Sequence, residues 1–534
     1  MSSPRSRAPS STKIAVIGGG PQGLCALKNL LEEGFDAMLL EQRDRIGGLW
    51  AYSDDPNTVT VLESTLTNVS KYKNCYSDFP IGKDEPVYFT QAQFLDYLER
   101  YADAFNFRPR IRLNTSVLRI SKSTSNADGW DIKAETKHAS SPHTLQFDKV
   151  VLATGAHHTP SAPTLPGASI FAGQILHSSA FKHPPSFAGK RVLVIGFSNT
   201  AADICAELVA HHAASVTVAH RRGIHVLPRL VNGKPVDLFA SRRVAAISAT
   251  VAAIAPVKSL GLVEKALADL SEKSWDLDPA WGFRPAPPRI TNRVMLSDTF
   301  VPQLRDGSIK SVANVKQIVN GETVELEDGS RVATDVIIFC TGYHRRDPPF
   351  LAEILGGEKE RLIPHRLYQN IFPPAYADSV AVLDSWQLGS GICEVADLAC
   401  MAVAQVFKGA FPLPSEDRMN REVDAHHRWV NTVLSREPAA AAKVVQEGKW
   451  RGWLHAAAGT GVNENLGYGW KGWWFWVWQP RWCSLLMGGI DLPYLARLFE
   501  GRRKKWEGAG RAIVEANEDL EMRFGKGTDR KKVK

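Results

Sequence analysis

Two short glycine-rich runs carry the chemistry open to this chain. Gly18-Gly19-Gly20-Pro21-Gln22-Gly23 and Gly196-Phe197-Ser198-Asn199-Thr200-Ala201 each follow an apolar run that reads as a strand, residues 14–17 and 192–195. Each also opens a segment with helical apolar spacing. A strand, a tight turn and a helix N-terminus aim unpaired N–H groups at a pyrophosphate, so each run reads as a nucleotide cradle. In the first, Gly18 permits the turn, Gly20 lets the backbone approach the phosphates and Gly23 lets helix and strand pack closely. In the second, Ser198 stands where the middle glycine would be, so this loop keeps further from its pyrophosphate or rearranges around the hydroxyl.

The residue that ends the following strand separates the two cradles. Glu41 closes the apolar run 37–40, and a carboxylate there accepts hydrogen bonds from ribose hydroxyls while repelling a 2′-phosphate. FAD or NAD fits that end, and NADP does not. After the second cradle the run 215–219 ends in His220-Arg221-Arg222, and guanidinium groups grip a phosphate through paired, charge-assisted hydrogen bonds. The acidic end and the basic end together assign FAD to the first site and NADPH to the second, although an arginine pair after a strand can also be a solvated turn. A chain holding both nucleotides is built to move electrons.

Composition bounds the rest. With 534 residues, 44% of them hydrophobic, the chain can bury two or three cores. Its seven cysteines make no Cys-x-x-Cys pair and no metal-ligand spacing, so reduced thiols, an intracellular setting and no metal are expected. The net charge of +8 resides mostly at the ends, +3 in residues 1–13 and +4 in 500–534, which argues against a nucleic-acid-binding face on the folded body. No apolar leader follows Met1, and a cytoplasmic protein is expected.

In chain order the motifs resemble the flavin-containing monooxygenases, class B enzymes of the dimethylaniline monooxygenase kind, from about Lys13 to about Ser415. The resemblance rests on the first cradle, Gly47-Gly48-Leu49-Trp50, Thr67-Asn68-Val69-Ser70-Lys71 and Asp78-Phe79-Pro80. It continues through Ala153-Thr154-Gly155, Phe171-x-Gly173-x-x-x-His177-x-x-x-Phe181, Phe339-Cys340-Thr341-Gly342-Tyr343, Leu367-Tyr368 and Phe372-Pro373-Pro374. It implies that NADPH reduces FAD, that O2 adds to give a C4a-hydroperoxyflavin, and that a nucleophilic nitrogen or sulfur of a small substrate takes the distal oxygen. Asn68 is then the catalytic residue, its amide a donor to the oxygenated flavin or an anchor for the nicotinamide. Gly48, Leu49, Trp50, Thr154, Gly155, Thr341 and Gly342 join Gly18, Gly20, Gly23, Glu41, Gly196, Ser198, Asn199, Ala201, Arg221 and Arg222 as cofactor-binding residues.

His177 reads as a structural or domain-coupling residue, with a catalytic role as the alternative. Baeyer–Villiger relatives usually carry Trp-Pro where this chain has Phe181-Lys182, which favours the heteroatom-oxidising branch. Where many relatives place Gln and Arg in a later helix, this chain has Ala399 and Met401, so polar flavin contacts from that helix are in doubt.

The elements that position these residues form an α/β protein with two Rossmann-like dinucleotide-binding domains, the FAD domain discontinuous and the NADPH domain inserted into it. After a disordered tail over 1–11, the expected order is FAD domain 12–169, NADPH domain 170–342 with an insertion at 230–293, and FAD domain again at 343–445. The insertion shapes substrate access or caps the domain. Residues 446–534 form a Trp-rich extension with a basic tail, holding Trp450, Trp453, Trp470, Trp473, Trp474, Trp476, Trp478 and Trp482. These indoles fold back as a lid or packed core, or residues 470–505 lie peripherally on a membrane with the cations 502–505 toward its headgroups. Three other functions share the layout: Baeyer–Villiger oxygenation of a ketone, an NADPH oxidase releasing H2O2, and a non-enzymatic flavin module. A disulfide reductase would need a closely spaced cysteine pair, which is missing. A secondary-metabolite substrate is compatible with all of this, and the oligomeric state is open.

Overall fold

A computed structural model describes residues 11–525 except 127, 138, 140, 239–240, 255, 288–293, 345–347, 356–364, 384–385, 387–390, 437–444 and 468. Residues 1–10 and 526–534, and residues 239–240, 255 and 288–293 of the expected insertion, lie outside the described residues.

The chain opens with β1 (Lys13–Ile17), α1 (Pro21–Glu32), β2 (Asp36–Leu40), β3 (Ile111–Arg112) and β4 (Lys149–Leu152). It continues through β5 (Gln174–His177), β6 (Arg191–Ile195), α2 (Asn199–Ala210) and β7 (Ser215–His220). Helices α3 (Arg242–Ile254) and α4 (Pro256–Trp275) precede β8 (Ile309–Ala313), β9 (Val336–Phe339) and β10 (Val380–Val382). The rest is helical: α5 (Ile392–Phe407), α6 (Glu447–Ala458), α7 (Trp470–Trp478), α8 (Pro480–Gly488) and α9 (Ala509–Phe524).

Two parallel five-stranded sheets organise these elements, in the orders β10-β4-β1-β2-β3 and β8-β7-β6-β9-β5. Residues 14–16 of β1 and 193–194 of β6 are wholly buried, as continuous apolar runs covered on both sheet faces must be. Because β10 pairs with β4, the chain returns to the first sheet after the whole second sheet is built, which makes the first domain discontinuous and the second an insert. The expected α/β architecture is therefore observed. Pro21 begins α1, where its missing N–H costs no intrahelical bond, and α1 packs against α5, whose Ala399 and Met401 are buried.

The C-terminal helices belong to the first half energetically. Arg497 is wholly buried, donating from Nη2 to Asn29 Oδ1 at 2.8 Å and from Nε to Ser77 Oγ at 3.1 Å, and pairing with Glu32 at 2.7 Å. Removing one member of such a buried ionic cluster costs about 3–5 kcal/mol. The eight C-terminal tryptophans divide sharply. Trp450 is buried and donates from Nε1 to Gln369 O at 2.7 Å, Trp453 and Trp482 are half-buried, and the five of α7 are exposed. Among the described residues no helix is long and apolar enough to cross a membrane.

Candidate active site

The first cradle is built by close backbone approach. Gly18 has φ +106°, and a Cβ there would lie 2.4 Å from Ala153 O; a Cβ on Gly23 would lie 1.8 Å from Gly18 O. Neither position accepts a side chain, and Gly18 is thereby pressed onto the Ala153-Thr154 turn. Gly48, with φ +56°, faces Gly20 so closely that a Cβ on it would stand 3.0 Å from Gly20 Cα. The second turn is fastened by Arg43, which donates to Gly48 O at 2.9 Å and Ala51 O at 2.7 Å. Trp50 packs edge-on against Phe94 at 4.6 Å, and Leu49 O accepts from Val61 N at 3.0 Å. Glu41 is buried, its two oxygens accepting from Gly19 N at 2.5 Å and Arg43 N at 2.8 Å. Just beyond it a cavity of ≈ 820 Å³ opens between Arg43, Tyr52, Asn114 and Ser116.

The second cradle repeats the turn with different chemistry. Gly196 has φ +126°, and a Cβ would meet Cys340 O at 2.5 Å. Ser198 caps α2 in extended conformation without a side-chain cap bond, and Ala201 is wholly buried behind it. Ser198, Thr200, Thr341, Gly342 and Tyr343 line a cavity of ≈ 220 Å³ at the helix N-terminus. The Asn199 side chain is committed elsewhere: Oδ1 accepts from Leu296 N at 2.8 Å, and Nδ2 donates to Val294 O at 3.4 Å. What Asn199 can offer a phosphate is its backbone. Arg221 and Arg222 are exposed at the end of β7, beside His220, whose ring stacks on Phe197 at 3.9 Å.

Between the cradles runs the segment from Phe171 to Lys182. A Cβ on Gly173 would collide with Asp335 O at 2.2 Å, and Phe181 is buried against Phe187 at 5.1 Å. His177 donates from Nε2 to Gly342 O at 2.9 Å, while Nδ1 accepts from Ser179 N at 3.1 Å. Both ring nitrogens are thus satisfied in one neutral tautomer, and burial holds the imidazole below its usual pKa. This geometry makes His177 a clasp on the Thr341-Gly342 turn. Lys182 reaches back to the first half, donating to Thr60 Oγ1 at 2.7 Å, and Tyr52 OH donates to Lys182 O at 3.1 Å. Burial, with the neighbouring Arg43 charge, pushes the Lys182 pKa down to about 8.

Asn68 is exposed on the rim where the halves meet, and its Oδ1 accepts from Arg229 Nη2 at 3.4 Å. Arg229 is buried, pairs with Asp298 at 3.1 Å, and its carbonyl accepts from Tyr88 OH at 2.7 Å. Ser70, two residues past Asn68, donates from N at 2.9 Å and from Oγ at 2.8 Å to Asp237 Oδ2. With Oδ1 engaged by a cation, the group Asn68 can present is its N–H2. Sequence reasoning missed Arg229, Asp237, Asp298 and Tyr88, because none lies in a motif and Arg229 stands 161 residues from Asn68.

The residues present fit the two nucleotides. The first cradle admits a pyrophosphate only because its approaches lack a Cβ, and Glu41 offers ribose an acceptor. The second ends in two exposed cations.

The flavin-binding monooxygenase-like family matches residues 11–524. That match extends past the motif resemblance from Lys13 to about Ser415 and takes in the Trp-rich C-terminal stretch. Monooxygenase aurF of Gibberella zeae is 38% identical over 528 residues, 96% of this chain and 98% of its own length. The N-oxide-forming dimethylaniline monooxygenase 2 of Oryctolagus cuniculus is 31% identical over 418 residues, 77% of this chain and 76% of its own. In three dimensions, S-allyl-L-cysteine S-oxygenase from Allium sativum superposes with a TM-score of 0.62 at 19% identity, covering 96% of this chain and 98% of that one. The family acts on small molecules with O2. The chain belongs to the flavin-binding monooxygenase-like family and is a flavin-dependent monooxygenase that works with FAD and NADPH.

Proposed function

We propose that the enzyme inserts one oxygen atom of O2 into a nucleophilic nitrogen or sulfur of a small organic substrate of the secondary-metabolite kind. The observation that carries this reading is exposed Asn68 where the two halves meet, its Oδ1 held by Arg229 so that its amide N–H2 is presented there. Bound FAD, once reduced by NADPH, supplies the activation of O2, one atom going to the substrate and the other to water. The chain's part is to bind, orient and exclude water. Gly18, Gly20 and Gly23 admit the FAD pyrophosphate to the N-terminus of α1, Glu41 receives its ribose, and Gly48, Leu49, Trp50, Thr154 and Gly155 wall the same side. The backbone at Gly196, Ser198, Asn199 and Ala201 receives the NADPH pyrophosphate, Thr341 and Gly342 face it, and Arg221 and Arg222 grip the 2′-phosphate. Asn68 would offer its amide N–H2 as a donor to the reacting oxygen or to the nicotinamide carboxamide of a bound NADPH.

Two features support nitrogen or sulfur as the target. Phe181-Lys182 stands in place of Trp-Pro, with Lys182 bonded to Thr60, and the relative from Oryctolagus cuniculus is named for N-oxide formation. We place the enzyme in the cytoplasm, with the Trp-rich segment 470–505 as a point of peripheral membrane contact. The test of the chemistry is turnover under 18O2 with a tertiary arylamine, a thioether and a cyclic ketone. One 18O in an N-oxide or S-oxide is expected. A lactone as the only labelled product would establish the Baeyer–Villiger reading, and H2O2 with no labelled product the oxidase.

A further inference from the structure

Asn68 is exposed and its Oδ1 meets Arg229 at 3.4 Å, a long bond, so the backbone around it must set where the amide stands. Upstream, Thr67 N donates to Phe89 O at 2.8 Å, and downstream, Lys71 N donates to Val87 O at 2.7 Å. Both bonds tie the segment to residues 87–89 of the same half. The two side chains that follow tie it to the far end of the chain.

Lys71 and Tyr72 are buried, and both end on buried Asp519 of α9, 447 residues from Tyr72 in sequence. Asp519 Oδ2 accepts from Tyr72 OH at 2.7 Å and pairs with Lys71 Nζ at 3.0 Å, and its Oδ1 accepts from Arg523 Nε at 2.8 Å. Burial acts to raise the Asp519 pKa, yet the bonds from Arg523, Tyr72 and Lys71 outweigh it and hold the carboxyl below its usual value. It is therefore charged at neutral pH. The Lys71 ammonium also donates to the carbonyls of Gly82, Lys83 and Glu85, none of which supplies a countercharge. The segment leading to α9 is pinned to the same stretch: Cys75 Sγ donates to Tyr494 OH at 3.3 Å, Arg497 Nε donates to Ser77 Oγ at 3.1 Å, and α9 packs against residues 493–497. Removing the Asp519 charge would strand a buried ammonium in the segment that carries Asn68, and the segment would have to shift to relieve it. We propose that Asp519 is a positioning residue of the oxygenation site, an acidic group of the C-terminal helix that sets the Asn68 amide through Lys71 and Tyr72. The inference rests on the role given above to Asn68, and it makes α9 part of the support of the reacting centre.

Full-length holoenzyme is reduced with NADPH and mixed with O2-saturated buffer without substrate, and the rates of flavin reduction and of H2O2 release are recorded. Wild type is compared, at equal flavin content, with Asp519→Asn, Tyr72→Phe, Asn68→Ala, each of the first two combined with Asn68→Ala, and Arg511→Gln, an exposed change on the same helix. Asp519→Asn is expected to release H2O2 about three- to tenfold faster than wild type and Tyr72→Phe about twofold faster, with flavin reduction unchanged. Arg511→Gln should keep the wild-type rate. Because Asp519 acts through Asn68, the double variants should release H2O2 no faster than Asn68→Ala alone. Wild-type rates in Asp519→Asn and Tyr72→Phe beside a fast Asn68→Ala overturn the positioning role and leave the Asn68 reading standing. Additive double variants, or an equal effect of Arg511→Gln, overturn it as well, since the helix then acts by another route. Should Asp519→Asn fail to hold flavin, Tyr72→Phe and its double decide the matter by the same comparison. If Asn68→Ala releases H2O2 at the wild-type rate, the reading of Asn68 falls and the inference with it.

Discussion

The two cradles share a backbone turn and differ in the residues that end the strand after it. Gly18 and Gly196 adopt nearly the same left-handed conformation, φ +106° and +126°, and each would drive a Cβ into a carbonyl oxygen, of Ala153 and Cys340 respectively. Beyond that turn they diverge. In the first, Gly23 cannot take a methyl, Gly48 closes over Gly20, and Glu41 is buried under two backbone N–H donors. In the second, Ala201 replaces the last glycine, Ser198 replaces the middle one, and the strand that follows ends in exposed Arg221 and Arg222. On the assignment proposed above, the first would keep its nucleotide, and the second would let one enter and leave by an electrostatic handle. A monooxygenase needs that division, because the flavin stays through many turnovers and NADPH is spent in each.

The largest effect should come from moving one methyl group across this comparison. Gly23→Ala forces a Cβ to within 1.8 Å of Gly18 O, so purified protein should lose its bound flavin, an affinity loss of about 100-fold or more read from the flavin-to-protein absorbance ratio. The mirror change Ala201→Gly should leave flavin content intact and alter the KM for NADPH by no more than about threefold. Equal sensitivity of the two sites would break the distinction. Next comes the charge handle: Arg221→Ala with Arg222→Ala should raise the KM for NADPH about 10- to 100-fold and leave that for NADH nearly unchanged. A parallel loss for both nucleotides would mean the pair is only a solvated turn.

The smallest effect concerns the joint between the halves. Lys182 has a folded pKa of about 8, depressed chiefly by burial, against an ordinary lysine value near 10.5. Between those values the unfolded chain binds the proton that the folded one has released, so stability rises with pH across that window and the burial cost is borne in full below pH 8. Polar neighbours and solvent reaching the ammonium hold the gain to about 1 kcal/mol. Lys182→Met should flatten the dependence of Tm on pH from 8 to 10; an unchanged slope would assign it to other groups.

The two strand–turn–helix units were legible because strand, glycine turn and helix start are local in sequence. The clasp at His177 was legible only as a choice, decided once Gly342 and Ser179 were seen to occupy its two nitrogens. Asn199 looked like a phosphate ligand by its place in the motif, yet its carboxamide is spent on residues 294–296, a tertiary contact no local pattern encodes. The Arg229 contact to Asn68 likewise depends on a loop of the second half meeting the first. For the tryptophans, indoles occupy nearly every turn position of α7, so no helical stripe distinguished a buried face from an exposed one.

The central claim is that the Asn68 amide, where the two halves meet, governs whether activated oxygen reaches substrate. It is tested by measuring product and H2O2 formed per NADPH oxidised, with a saturating thioether or tertiary amine, in wild type, Asn68→Ala and Asn68→Gln of equal flavin content. The account predicts near-stoichiometric product in wild type and, in Asn68→Ala, a fall of about tenfold or more with H2O2 making up the difference. Unchanged coupling in Asn68→Ala would contradict it.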